Sequence, residues 1–390
     1  MKKLNIIMVT LTIFLFIFSI EVQAQDNMKN ADISEINNNP KILKFYDYIN
    51  NLESDTEILN DLNLKEYIKH YMETGEENLS FKSLTKIVGT YFIKEVRVTL
   101  KLMISLIVLA IISAMIRNLQ DSFSNDNISN VAFYACFAVM IMLLSRSFLI
   151  SLDLAKETIQ GLADFMIVLL PVLTLLLSTA GGITQAASMD PIVLGSVILT
   201  PRIYIDIIIP LILMGFVLVF VNNLSNDHKI NNICKMFKQI VMWLQGIIIT
   251  IFIAILSIRG ISANTIDAVA LKTAKFAVDN FVPIVGKAFS DAITTMAGYS
   301  LVLKNAVSTV GLIVIIVLVL FPILKMILMI FTYKLSAALV EPIADKRIVS
   351  CIEFASESLT LVMATMLSLS VMFFIMIAIM ANSGRFIVGG

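Results

Sequence analysis

The chain has 390 residues, of which 58% are hydrophobic and only 15% are charged. This composition excludes an ordinary soluble domain, and a formal net charge of zero gives no basic surface for nucleic acid. The apolar runs are long and continuous instead of alternating, so we predict an all-α polytopic membrane protein. The three cysteines, Cys136, Cys234 and Cys351, do not indicate a disulfide framework.

The first 24 residues have the pattern of a secretory signal peptide. Lys2 and Lys3 precede an apolar run from Leu4 to Ile20, and Val22-Gln23-Ala24 has the small residues of a cleavage site. An uncleaved membrane anchor is the alternative interpretation. Both interpretations place the residues that follow outside the cytoplasm.

Residues 25–97 are predicted to form a small extracytoplasmic domain of amphipathic helices with a flexible N-terminal linker. Three sets of apolar residues recur at helical spacing, so each set lies on one helix face. The sets are Ile42, Phe45, Tyr46, Ile49 and Leu52; Leu64, Tyr67, Ile68, Tyr71 and Met72; and Phe81, Leu84, Val88, Tyr91 and Phe92. We expect the third helix to continue into the first membrane segment. A domain of this size has a small core, so we expect it to lean on the membrane or a partner, with a solvated helical cap as the alternative.

Residues 98–390 form the predicted membrane domain, with seven or eight transmembrane helices. The predicted segments are residues 98–116, 131–152, 165–177, 190–221, 245–258, 305–324, 326–340 and 359–381. About twenty apolar residues suffice to cross a bilayer as a helix. The distribution of Lys and Arg satisfies the positive-inside rule only weakly, so the topology of the middle segments stays open.

A run of small polar residues follows Pro171 at the end of the third segment. Gly181 and Gly182 within this run weaken a helix and let two backbones approach closely. Tight helix packing is one interpretation of the pair. The other is a broken or re-entrant helix that lines a cavity.

Residues 281–300 combine polar and apolar side chains just before the span at 305–324. Pro283 opens this segment, and Lys287 and Asp291 are four residues apart, so they can pair along one helix face. We expect the segment to enter a cavity within the protein. A surface helix that turns its charged face to water is the alternative.

Charge is also concentrated at the two ends of the next segments. Lys304 borders the uncharged residues 305–324 directly, and charges at this depth are costly unless they face protein, water or headgroups. Glu341-Pro342 opens a charged turn that ends at Arg347. Because Pro342 breaks a helix where the charge density rises, we expect this turn to face a partner or headgroups in the cytoplasm.

The sequence contains no motif of the enzyme classes that act through zinc, ATP or a serine nucleophile. The H-E-x-x-H and G-x-S-x-G patterns are absent, and Gly286-Lys287 lacks the remainder of a phosphate loop. We therefore predict no enzyme activity, no cofactor and no metal site. Proline-centred phrases recur at two competing offsets, 112 and 151 residues, which leaves an internal duplication undecided.

Several separated phrases resemble the stage III sporulation protein AE family of endospore-forming bacteria. They are Leu170-Pro171, Gly181-Gly182, Asp190-Pro191-Ile192, Lys304-Asn305-Ala306-Val307, Gly311 and the run from Tyr333 to Ile343. The resemblance extends from about residue 160 to the C-terminus. The exported domain contains no sequence motif that resembles the family.

The resemblance implies a non-enzymatic, multi-pass component of a channel or secretion apparatus that links mother cell and forespore and supports late forespore development. It implies a location in the mother-cell membrane around the forespore. The implied partners are the other membrane and ring-forming proteins of this apparatus, a secretion-type ATPase and the lipid bilayer. A stand-alone secondary transporter for a small solute and a membrane scaffold without a pore are the alternative functions.

Overall fold

The computed structural model describes residues 39–55, 64–74, 82–123, 126–224, 232–256 and 286–383. No strand occurs in these ranges, and the predicted all-α fold is confirmed. The helices are α1 (Pro40–Asp55), α2 (Leu64–Thr74), α3 (Lys82–Phe123), α4 (Asp126–Thr179), α5 (Ile183–Ile203), α6 (Ile209–Leu224), α7 (Asn232–Leu256), α8 (Gly286–Val340) and α9 (Lys346–Asn382). A π-helical turn, Tyr204–Ile208, joins α5 to α6. The predicted signal peptide lies outside the described residues.

The described part of the chain has six helical segments long and apolar enough to cross a membrane, judged by length and composition. They are Val88–Ile116, Tyr134–Thr179, Val193–Asn223, Asn232–Leu256, Thr295–Val340 and Lys346–Asn382. The predicted count of seven or eight is not confirmed, because residues 131–152 and 165–177 share α4, and residues 305–324 and 326–340 share α8. The charged residues of α4 between residues 152 and 165 do not end the helix, because their side chains are exposed on its surface.

The two N-terminal helices pack against the long helices of the membrane domain. Asn39 caps α1, because its side-chain oxygen accepts a hydrogen bond of 3.0 Å from the Lys41 amide, and Pro40 occupies the first helical position. The predicted apolar faces are buried at Ile42, Phe45, Ile49, Leu64, Tyr67, Ile68 and Tyr71. α1 packs on α4 and α2 packs on α8. The apolar faces therefore form part of the same core as the longer helices.

α4 and α8 run antiparallel in one constant register. The hydroxyl groups of Ser147 and Tyr333 are hydrogen-bonded to each other. Further along, α8 approaches α4 so closely that a Cβ on Gly311 would lie 2.7 Å from Cδ2 of Leu169. Between these two contacts both helices advance by the same number of residues, so neither bends away from the other. With 54 and 55 residues, each helix is about 80 Å long.

α9 packs against α8, α4, the α5–α6 segment and α7, and it lies at the centre of the bundle. It runs antiparallel to α8, with which it shares the most extensive interface, and the Ser356 hydroxyl donates to the carbonyl oxygen of Ile330 across it at 3.3 Å. It also runs antiparallel to the α5–α6 segment, where the Ser368 hydroxyl donates to the phenolic oxygen of Tyr204 at 2.9 Å. α7 runs parallel to α9, because Lys238 contacts Glu357 and Gln245 contacts Thr365 further along both helices.

Candidate functional site

Lys304 is fully buried, and its ammonium group binds the end of another helix. The Nζ atom donates a hydrogen bond of 3.0 Å to the carbonyl oxygen of Ala381 and a second one to the carbonyl oxygen of Ser383. Both acceptors belong to the C-terminal end of α9, where carbonyl groups lack helical partners and carry the negative end of the helix dipole. The structure therefore places Lys304 at a junction between α8 and α9.

The face of α8 that carries Lys304 is polar for two further turns. Ser300 and Ser308 lie one turn before and one turn after Lys304, and both are buried. Within the described part of the chain, their hydroxyl oxygens and the Oδ1 atom of Asn305 have no hydrogen-bond partner. Buried polar atoms are normally paired, so these unpaired atoms distinguish the stripe from an ordinary apolar core.

The Gly181-Gly182 pair ends α4 and starts α5. Gly181 has a φ of 97°, which only glycine adopts readily, and the Gly182 amide donates to the carbonyl oxygen of Leu177 at 2.9 Å. A Cβ on Gly182 would lie 2.9 Å from Cδ1 of Leu177. α4 and α5 then pack against each other as a helical hairpin. The helix is thus broken at this pair, and a role of the break in lining a cavity stays a prediction.

Pro171 lies within α4 and is half-buried. The α4 helix continues for two turns beyond it. By the register of α4 and α8, the Gly181-Gly182 turn lies at the same end of the bundle as Lys304. These positions bring Gly181, Gly182 and Lys304 to one end of the bundle.

The predicted pair of Lys287 and Asp291 lies on the first turns of α8, where only the backbone is described. Pro283 lies outside the described residues. The segment ends at Tyr299 and Ser300, both of which are buried. The predicted cavity around residues 281–300 and the predicted ion pair therefore stay predictions.

Glu341 and Pro342 form an exposed turn at the opposite end of α8. The helix ends at Val340, whose carbonyl oxygen accepts a hydrogen bond of 2.8 Å from the Ala344 amide. α9 then begins at a cap, since the Asp345 carboxylate accepts from the Arg347 amide at 2.8 Å and from its guanidinium group at 3.3 Å. The turn is accessible, and its contact with a partner or headgroups stays a prediction.

Two ion pairs that sequence reasoning missed join the helices at one level of the bundle. Lys325 on α8 lies 3.8 Å from a carboxylate oxygen of Glu95 on α3, and Lys238 on α7 lies 2.5 Å from Glu357 on α9. Glu95 is only 7% exposed. The Ser356–Ile330 contact places the second pair within about two turns of the first along α8.

Ion pairs between residues far apart in the sequence produce no regular spacing, so they cannot be predicted from the sequence alone. The available signal is a charge within an apolar run, which points to Lys325 but not to its partner. A further buried contact of this type joins α7 to α9, where the Gln245 amide donates to the Thr365 hydroxyl at 2.7 Å. Among the described residues, no three His, Cys, Asp or Glu side chains come together as metal ligands.

Comparison with known proteins gives consistent results over most of the chain. The family model for stage III sporulation protein AE matches residues 62–384. Stage III sporulation protein AE of Bacillus subtilis (strain 168) is 31% identical over 311 residues, which cover 80% of this chain and 78% of that protein. No solved structure matches.

Proposed function

Because the chain belongs to the stage III sporulation protein AE family, we propose that it is a non-enzymatic membrane component of the channel or secretion apparatus between mother cell and forespore. The family and the six apolar helical segments together make it a sporulation-related membrane protein. The proposed location is the mother-cell membrane around the forespore. The proposed partners are the other membrane and ring-forming proteins of the apparatus and a secretion-type ATPase.

The observation that carries this proposal is the separation of two accessible surfaces along α8. α1 and α2 pack near Tyr299, whereas the Glu341-Pro342 turn lies at the other end of the same helix. The two positions are 42 residues apart in the sequence, which is about 60 Å of helix. A component with surfaces this far apart can contact proteins on both sides of a membrane at once.

The proposed contact of the Glu341-Pro342 turn with partner proteins is tested with the variant Glu341→Gln in sporulating cells. Asp153→Asn serves as the control, since Asp153 is also an exposed acid of a long helix but lies far from the turn. Glu341→Gln is expected to insert normally and to capture less of the partner proteins on affinity purification, with fewer mature spores. Normal capture and normal spore numbers would reduce the turn to a helix terminator.

The proposed layout also requires the N-terminal domain to be exported. In a variant without native cysteines, a cysteine replacing Asn38 is expected to react with a membrane-impermeant thiol reagent in intact protoplasts. Reaction only after lysis would place the N-terminal domain in the cytoplasm and invert the layout.

A stand-alone secondary transporter is the second candidate function. The helix break at Gly181-Gly182 and the buried ionisable side chain of Lys304 favour it, because transporters combine broken helices with intramembrane charges. Reconstituted vesicles separate the two functions. Solute uptake by the purified protein alone would support the transporter, and its absence together with partner capture would support the apparatus.

A further inference from the structure

The α4–α8 pair is too long to lie entirely within a bilayer. Each helix is about 80 Å long, whereas the hydrocarbon core measures about 30 Å and the whole bilayer about 40–45 Å. Transmembrane helices tilt by about 20° on average, which shortens their span only slightly. About half of the pair must therefore lie outside the bilayer, and the neighbouring helices show which half.

Two halves of the bundle can be defined along α8. The Lys304 half comprises residues 295–324 of α8 and the segments packed on them. The Glu341 half comprises residues 326–340 of α8, residues 98–116 of α3 and residues 134–152 of α4. The Glu95–Lys325 ion pair lies at the boundary between the halves.

α1 packs deep along the Lys304 half. The ring of Tyr48 lies 6.0 Å from the ring of Phe165, measured between centroids. Phe165 is one turn from Leu169, which faces Gly311, so α1 lies beside the first part of the uncharged residues 305–324. If these residues crossed the bilayer, α1 would be immersed in its hydrocarbon core.

The outer surface of the Lys304 half carries many exposed charges. On α1 and α2 they are Lys41, Lys44, Asp47, Lys65, Glu66, Lys69 and Glu73. On α4, α5 and the π-helical turn, Asp164, Arg202 and Asp206 are also exposed. Exposed charges at bilayer depth are strongly unfavourable, so lipid tails around this half would contact the least compatible surface of the molecule.

The outer surface of the Glu341 half is mainly apolar. Its exposed residues include Ile104, Val108, Ile112 and Met115 on α3, Val139, Met142 and Ile150 on α4, and Ile327, Phe331 and Leu339 on α8. The exposed charges packed at its level, which are Lys101, Arg146, Lys235, Lys334 and Glu353, lie near residues 331–334 of α8 and are fewer than those of the Lys304 half. From Lys325 to the turn at residues 341–345 the chain rises about 25–30 Å, which matches the hydrocarbon core.

We propose that the bilayer surrounds the Glu341 half and that the Lys304 half projects from the membrane on the side of α1 and α2. The twenty uncharged residues 305–324 then form the core of a projecting helical body, although their composition alone indicates a membrane span. This placement does not depend on the channel role, because it concerns only which surface contacts lipid. It counts against the transporter, because Lys304 and the Gly181-Gly182 turn would lie outside the bilayer.

The placement is tested by measuring how deep single tryptophan side chains lie in the bilayer. Such variants are easily made, because Trp243 is the one natural tryptophan and can be replaced. In a Trp243→Phe background, Met142→Trp probes the Glu341 half and Leu199→Trp probes the Lys304 half. The two replaced side chains are 69% and 60% exposed, so both variants should fold. The proteins are reconstituted with phospholipids that carry bromine on the acyl chains, which quenches tryptophan fluorescence on contact.

Met142→Trp is expected to be quenched several-fold more strongly than Leu199→Trp. Equal quenching, stronger quenching of Leu199→Trp, or no quenching of Met142→Trp would each overturn the placement. Val108→Trp and Ile198→Trp provide a second pair if either variant is not monodisperse. Arg202→Cys in a cysteine-free chain must also react with a charged thiol reagent in the vesicles, since lipid around this residue would prevent the reaction.

Discussion

The Lys304 ammonium group donates a hydrogen bond of 3.0 Å to the carbonyl oxygen of Ala381, which joins the interior of α8 to the last turn of α9. The lysine lies about five turns into its helix, and the acceptor is one of the last residues before Ser383 ends α9. A buried charge is normally costly, but here the carbonyl groups of a helix C-terminus stabilise it. The same contact supplies a donor to two carbonyl oxygens at the end of α9.

Replacement of Lys304 by methionine is expected to destabilise the protein. Methionine retains the apolar stem but leaves two carbonyl oxygens without the ammonium group, so we expect a loss of about 3 kcal/mol in the free energy of unfolding. The midpoint of thermal unfolding in detergent measures the effect. Lys346→Met is the control, because Lys346 is exposed at the first position of α9. Equal midpoints for the two variants would show that the Lys304 contact contributes nothing.

Substitution of Gly311 is expected to push apart the helices that meet at this point. A Cβ there would lie 2.7 Å from Leu169 and 3.3 Å from Ile377, which belong to α4 and α9. Gly311→Val should therefore destabilise the protein by about 1–3 kcal/mol through overpacking. Gly195→Val is the matched control, since nothing lies within 4 Å of its Cβ position in α5. The prediction fails if both substitutions lower the unfolding midpoint by the same amount.

The fold class and the amphipathic faces were predictable from the sequence because both depend on local periodicity. Ile42, Phe45 and Ile49 recur at helical spacing, and all three are buried. The number of segments was harder to predict. Charged residues such as Lys156 and Glu157 separate two apolar runs but are good helix formers, so α4 continues through them.

The candidate site was predictable only as a set of unusual residues. Lys304 was recognised because a charge beside an apolar run is costly, but its acceptors lie 77 and 79 residues further along the chain. No local pattern specifies such a contact. The same reason explains why the ion pair between Glu95 and Lys325 was not predicted. The alignment of the helices along one another decides which residues pair. That alignment results from the packing of the whole bundle.

The Lys238–Glu357 ion pair is expected to stabilise the contact between α7 and α9. Both side chains are partly exposed, so Lys238→Glu alone should cost about 1 kcal/mol through like-charge repulsion. The exchanged double variant Lys238→Glu/Glu357→Lys should recover most of this loss in the thermal midpoint. Lys235→Glu, on the exposed surface of α7, is the control. If the loss of stability in the double variant equals the sum of the losses in Lys238→Glu and Glu357→Lys alone, the two residues do not interact.

Finally, the contact of α1 with α4 is expected to weaken at alkaline pH. Burial, together with the nearby Asp164 carboxylate, raises the pKa of Tyr48 from 10.0 to about 12. The neutral phenol is thus favoured in the folded state. Its contribution to stability is complete below pH 10 and decreases as the pH rises from 10 to about 12. Tyrosinate absorbance should show a late-titrating group that Tyr48→Phe removes and Asp164→Asn shifts to lower pH. If Tyr48→Phe instead removes a group that titrates at pH 10 or below, Tyr48 is solvated and α1 does not pack on α4 through it.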